Sequence, residues 1–127
     1  MPVSRITTNF ILGEDKQKLV DGFHQIMCDT LKIKDYDRLT VIDEKPDDFF
    51  QPLNTEGKYV FIEIQFFAGR SIETKRKLYQ RIVKLLIVYD IPVDNNRIVL
   101  HEIAKENWGI RGGQAACDVD LGYSVQV

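Results

Sequence analysis

The chain has 127 residues, 44% of them apolar and 28% charged, with a net charge of −2, a make-up that fits one globular domain with a single core. This balance gives no global attraction to nucleic acid or anionic membrane. No apolar run reaches a membrane span, because the longest are broken by Glu63, Gln65, Lys84 or Asp90. Cys28 and Cys117 make no disulfide framework, and the first residues lack the basic and apolar segments of a signal peptide. Cytoplasmic residence is the default expectation.

Val3 to Leu12 is rich in β-formers, with Ile6, Phe10 and Leu12 on one parity, and Gly13-Glu14-Asp15 breaks it. Asp15 offers a helix start, and Leu19, Phe23, Ile26, Met27 and Thr30 follow at helical spacing. Arg38 to Glu44 alternates like a strand with one wet face. Residues 45 to 57 carry Pro46, Asp47, Asp48, Pro52, Asn54 and Gly57 and read as loop, packed down by Phe49, Phe50 and Leu53. Val60 to Phe67 is a strongly apolar strand ended by Gly69. Ser71 is a good N-cap, with Glu73 in the first turn. Leu78, Ile82, Leu85, Leu86 and Tyr89 form the buried stripe of the next helix, opposite Lys75, Arg76, Lys77, Arg81 and Lys84. Pro92 and Asn95-Asn96 stop that helix, and Arg97 to Ile103 returns as a strand.

The chain is thus an α/β (α+β) domain of two tandem βαβ repeats, about 1–57 and 58–127, followed by a short C-terminal β tail. Two parallel βαβ units predict a four-stranded sheet with two helices on one face. Val60, Ile62, Ile64 and Phe66 cannot share a face with Phe61 and Phe67, so the sheet is expected to be apolar on both sides. No third helix is left to cover the second side, which implies self-association.

Ala68-Gly69-Arg70-Ser71 places an arginine where strand meets helix, and Asn107-Trp108-Gly109-Ile110-Arg111-Gly112-Gly113 ends a strand in a glycine-rich turn. With Pro2 directly after Met1, these pieces resemble the tautomerase superfamily, in its fused double-length members. Asp21-Gly22-Phe23-His24 and Asp37-Arg38 are similar to the malonate semialdehyde decarboxylase branch. The sequence departs from the short members at Gly13-Glu14-Asp15, where they carry an arginine, and from the decarboxylase at Ala68, where it carries another.

The resemblance implies a catalytic N-terminal proline, a homotrimer whose Tyr123–Val127 tail adds an edge strand to a neighbour, and no cofactor or metal. Freed of Met1, Pro2 is a secondary amine. An apolar pocket and a nearby cation would keep it neutral as a base, whereas a nearby carboxylate would keep it protonated as an acid. With Met1 retained, the Pro2 nitrogen is an amide without basicity. Arg70 is expected to hold a substrate carboxylate in a two-point fork. An arginine at such a joint is also expected to be exposed, so that its loss costs the fold less than about 0.5 kcal/mol. Asp37 is expected to tune Pro2, Trp108 and Ile110 to wall the pocket, and Arg111 to make a second carboxylate contact. His24 and His101 carry no metal-ligand spacing, Cys28 reads as a buried helix residue, and Cys117 lacks a partner that would mark a nucleophile. The expected function is proton transfer on a small oxo or enol carboxylate by a cofactor-independent tautomerase. Decarboxylation or hydration by a cationic proline is one alternative, and a non-catalytic trimeric binding protein of the same fold is the other.

Overall fold

The structure is a computed structural model describing residues 1–127. Strand β1 (Val3–Thr8), helix α1 (Lys16–Leu31) and strand β2 (Thr40–Glu44) form the first unit. Strand β3 (Val60–Phe67), helix α2 (Ile72–Val88) and strand β4 (Asn96–Ile103) form the second. The sheet order is β2-β1-β3-β4, parallel within each unit and antiparallel where β1 meets β3. The two units match in register: Ser4 faces Thr40 in the first as Val60 faces Asn96 in the second. Beyond the sheet, β5 (Gly109–Ile110) and β6 (Gln114–Ala115) make a small antiparallel hairpin. No helix is long and apolar enough to cross a membrane.

Strand alternation assigns the helix-facing side. Ser4, Ile6 and Thr8 of β1 and Val60, Ile62, Ile64 and Phe66 of β3 are all buried there. They meet Leu19, Phe23, Ile26, Met27 and Leu31 of α1 and Leu78, Ile82 and Leu86 of α2 in one core. Gly22 lets the helices approach closely, since a Cβ at that position would lie 2.9 Å from Leu85 Cδ1.

Two element boundaries differ from the sequence reading, and local hydrogen bonds explain both. β1 stops at Thr8, whose hydroxyl donates to Phe10 O at 2.6 Å. The Asn9 side chain then ties the chain to Gly57 O and Tyr59 N. Leu12 still reaches the core, held by its N–H donating to the Glu44 carboxylate at 2.6 Å. β2 begins at Thr40 because Arg38 belongs to a turn, with Arg38 N donating to Tyr36 O at 3.1 Å. Ser71 caps α2 as its type predicts, accepting from Thr74 N at 3.2 Å. The connector packs through Phe49, whose ring meets Tyr59 at 5.8 Å, while Phe50 and Leu53 face solvent.

The far side of the sheet is not the apolar face that the sequence suggests. Phe67 is covered by the chain's own C-terminal part, through Ala116, Leu121, Val125 and the edge of Trp108. The remainder mixes Val41 and Phe61 with an Arg5–Asp43 ion pair at 2.8 Å, Glu63 beside His101 at 3.5 Å, and exposed Gln65. The cause is the alternation of β3 itself, which places Glu63 and Gln65 on the same side as Phe61 and Phe67.

The β structure of the C-terminal region is the Gly109–Ala115 hairpin, and Tyr123–Val127 forms no strand. That tail lies on its own chain: Ser71 N donates to Val127 O at 2.8 Å and Val125 rests on Gly69. Gly69 has φ +138°, and a Cβ there would lie 2.9 Å from the Val125 carbonyl oxygen. Gly69→Ala is therefore expected to cost roughly 1–3 kcal/mol through backbone strain and displacement of the tail. Chemical denaturation measures the cost, and limited proteolysis should cut the loosened tail first.

Candidate active site

The start of β1 carries the N-terminus into a cleft. Its walls are the loop between α1 and β2, the β5–β6 hairpin and the C-terminal segment. The Met1 amine lies 3.2 Å from Asp37 Oδ2 and donates a hydrogen bond to the Tyr123 hydroxyl. Burial lowers the pKa of this amine below its ordinary value; the Asp37 carboxylate pulls it back up, and the Arg70 guanidinium pushes it further down. The net direction is downward because the charged form loses more to burial than the neighbouring Asp37 carboxylate restores.

Two cavities flank the amine. One, of ≈ 220 Å³, is lined by Met1, Lys34, Tyr36, Asp37, Arg111, Leu121 and Tyr123. The other, of ≈ 180 Å³, is lined by Met1, Pro2, Val3, Asp37, Leu39, Trp108, Gly109 and Ile110. Met1 and Asp37 belong to both walls. Asp37 is presented by a turn in which its N–H donates to Lys34 O at 3.0 Å, and Arg38 fastens that turn to α1 through Asp21 at 2.9 Å. Trp108 is fixed by its indole N–H on Ile103 O at 3.3 Å and by its edge contact with Phe67. Arg111 takes a left-handed backbone, φ 50°, and donates to Asp120 O at 3.1 Å.

Arg70 departs from the exposed position expected of it. It is only 5% exposed. One terminal nitrogen donates to Leu31 O at 2.9 Å and the other to Phe67 O at 3.1 Å, while Nε has no partner. The guanidinium also lies against the rings of Phe66 and Tyr123, with centroids at 5.6 and 5.9 Å. The two nitrogens of the expected fork are thus engaged with main-chain carbonyls, and the positive charge reaches the cleft from behind Tyr123. Burial lowers the pKa of this guanidinium, while Tyr123 and Glu102 work against that shift.

The fold therefore brings Pro2, Asp37, Trp108 and Ile110 around one cavity and Asp37 and Arg111 around the other, with Arg70 behind them. Sequence reasoning missed Lys34 and Tyr123. Tyr123 sits in Gly122-Tyr123-Ser124, where no local periodicity marks it, and only the docking of the tail brings it to the amine. The histidines stand apart: His24 Nε2 lies 2.6 Å from Asp35 O, and His101 lies beside Glu63 on the far side of the sheet. Cys28 is half-buried, not buried as expected. Burial and the carboxylates of Asp35, Asp29 and Asp37 push its thiol upward, away from nucleophile character.

Residues 34–111 match a family model described as "Tautomerase enzyme". The chain belongs to the tautomerase family. A 2-hydroxymuconate tautomerase from Comamonas testosteroni is 36% identical over 56 residues, covering 43% of this chain and 89% of that enzyme. Two solved structures share the fold of the tautomerase chain. A malonate semialdehyde decarboxylase inhibited by 3-bromopropiolate superposes with a TM-score of 0.76 at 23% identity, over 89% of this chain and 92% of the other. A fused 4-OT described as a symmetric trimer superposes with a TM-score of 0.83 at 18% identity, over 92% of this chain and 99% of the other.

Proposed function

We propose that this tautomerase-family enzyme moves a proton on a small 2-oxo or 3-oxo carboxylate without a cofactor. The proton carrier is the amine of Pro2 once Met1 has been removed. The observation that carries the reading is the placement of the N-terminal amine: half-buried, beside Asp37, in the wall shared by two cavities. Removal of Met1 frees the Pro2 nitrogen and takes away the residue that separates the two cavities. The Pro2 amine then faces one chamber, with Trp108 and Ile110 on its apolar side and Lys34 and Arg111 as cations for a carboxylate.

In this chamber the neutral amine takes a proton from the carbon beside the carbonyl, and the bonding electrons pass to the oxygen as an enolate. The ammonium then gives the proton to the enolate oxygen, forming the enol; ketonisation is the reverse, in which the amine takes the enol's hydroxyl proton and the ammonium delivers it to carbon. Arg70 opposes protonation of the resting amine and favours the negative charge of the enolate. Trp108 and Ile110 exclude water. The ion pair with Asp37 supports a second reading, in which the amine stays protonated and assists decarboxylation or hydration as an acid.

The pH–rate profile separates the two. The neutral form is the base, and burial, the largest influence, lowers the pKa of the Met1 amine in this cleft; the Pro2 amine exposed by trimming enters the same surroundings and is expected to shift the same way. Ketonisation of an aromatic enol-pyruvate by trimmed protein should therefore rise with pH. The midpoint should lie below the ordinary α-amine range of roughly 7.7–8.0, with a plateau above it. Activity that falls as pH rises through the midpoint would instead establish the acid.

We further propose that the chain assembles as a homotrimer. The fold neighbours include a fused 4-OT trimer, and this chain leaves Phe50 and Leu53 each 92% exposed, with Phe50 lining one cavity together with Phe61 of the open sheet face. Three chains of 14.7 kDa give a particle of about 44 kDa by light scattering; a 14.7 kDa particle at micromolar concentration would rule the trimer out.

A further inference from the structure

We propose that Tyr123 is a catalytic residue of this site, donating a hydrogen bond to the substrate oxygen on which charge develops, and that Arg70 positions it. The inference rests on the reading above, in which substrate takes the place that Met1 occupies.

The geometry starts from the Met1 amine, which fills the space in front of Pro2 and touches the Tyr123 hydroxyl. The nitrogen stands in for a polar atom of whatever replaces Met1. A phenol has one proton and two lone pairs. The amine is a donor and so engages a lone pair, which leaves the phenol proton free for an acceptor in the same space. An enolate oxygen is such an acceptor.

The hydroxyl is also held in advance. Its ring lies against the Arg70 guanidinium, which is tied to two backbone carbonyls in the core. The tail that carries it is fastened by the Ser71–Val127 bond and by Val125 on Gly69. A donor fixed before substrate arrives costs no reorganisation during the reaction, which is the condition under which such donors contribute most. Burial raises the phenol's pKa and Asp37 acts in the same direction, so the group stays a proton-bearing donor, while Arg70 opposes the shift. The buried arginine, whose terminal nitrogens are tied to main-chain carbonyls, thus adds a positioning role to its charge, by holding the phenol that meets the enolate. The tyrosine keeps its proton throughout, the amine alone carries one between the substrate's oxygen and its carbon, and nothing is oxidised.

The test compares trimmed wild type, trimmed Y123F and protein with Met1 retained, all on an aromatic enol-pyruvate. Y123F keeps the ring against Arg70 and removes only the hydroxyl. The expected result is a fall in kcat of about 10²-fold, the scale for losing one oxyanion donor. KM should stay within about threefold and the melting temperature should be unchanged. Y123F turning over like wild type, while the Met1-retained form is inactive, would overturn the role of Tyr123 and leave the proline reading standing. A Met1-retained form as fast as trimmed protein would bring down the proline reading and this inference with it. Should Y123F melt early, 3-fluorotyrosine at position 123 nearly keeps the shape and changes donor strength, assayed at a pH where the phenol still carries its proton. A severalfold change in kcat then supports the proposal, and an unchanged kcat overturns it.

Discussion

Protein that retains Met1 is expected to turn over an enol-pyruvate about 10²- to 10⁴-fold more slowly than trimmed protein, the range supplied by one general base. The first reason is electronic. Behind Met1 the Pro2 nitrogen is part of an amide, and its lone pair is delocalised into the carbonyl. The second is steric, because Met1 fills the space between the two cavities. The Met1 amine does not substitute for the lost base: it is engaged with Asp37 and Tyr123 in the very space that substrate would need. Intact mass spectrometry measures the trimmed fraction, and activity across preparations should track that fraction linearly. Equal turnover by the two forms would refute a proline base.

Arg70→Ala is expected to destabilise the fold by roughly 2–4 kcal/mol, well above the cost of losing an exposed side chain. Two main-chain carbonyls, Leu31 O and Phe67 O, would lose their donor inside the protein. Each buried acceptor left without a partner costs about 1–3 kcal/mol. The upper end of that sum is trimmed because the variant no longer buries a cation whose pKa burial has already depressed. Near-additive loss still wins, since a cavity the size of the guanidinium also opens beneath Tyr123. Thermal and urea denaturation read the change. A melting temperature within a degree of wild type would show that water satisfies both carbonyls and that Arg70 is not a strut. Turnover by the folded fraction should fall as well, because Tyr123 loses the surface that holds it.

Much of this molecule is legible before any coordinates. The two βαβ units follow from strands and helices whose periodicities are strong, and the Ser71 cap forms as its residue type dictates. Pro2, Asp37, Trp108 and Ile110 meet at one cavity, as their resemblance to family motifs implied, although their roles rest on the experiments above. Directions of side chains at joints are not legible in this way. Arg70 turns inward because Leu31 O, at the end of the other helix, offers an acceptor there. No spacing in Ala68-Gly69-Arg70-Ser71 encodes that partner. The same limit hid Tyr123, which reaches the amine only because Gly69 leaves room for Val125 to dock. The far face of the sheet departs from the apolar expectation for a simpler reason. Glu63 and Gln65 alternate with Phe61 and Phe67 on that face, and Phe67 finds its cover within the chain.

If the terminal amine of the trimmed chain is the base, titration of that nitrogen must follow the onset of activity. With proline labelled by ¹⁵N, the Pro2 signal of trimmed protein reports its protonation across pH. The expected midpoint lies below the ordinary α-amine range of roughly 7.7–8.0 and coincides with the midpoint at which kcat/KM rises. A midpoint above that range, or a kinetic midpoint that does not move with the nitrogen's titration, would contradict a proline base.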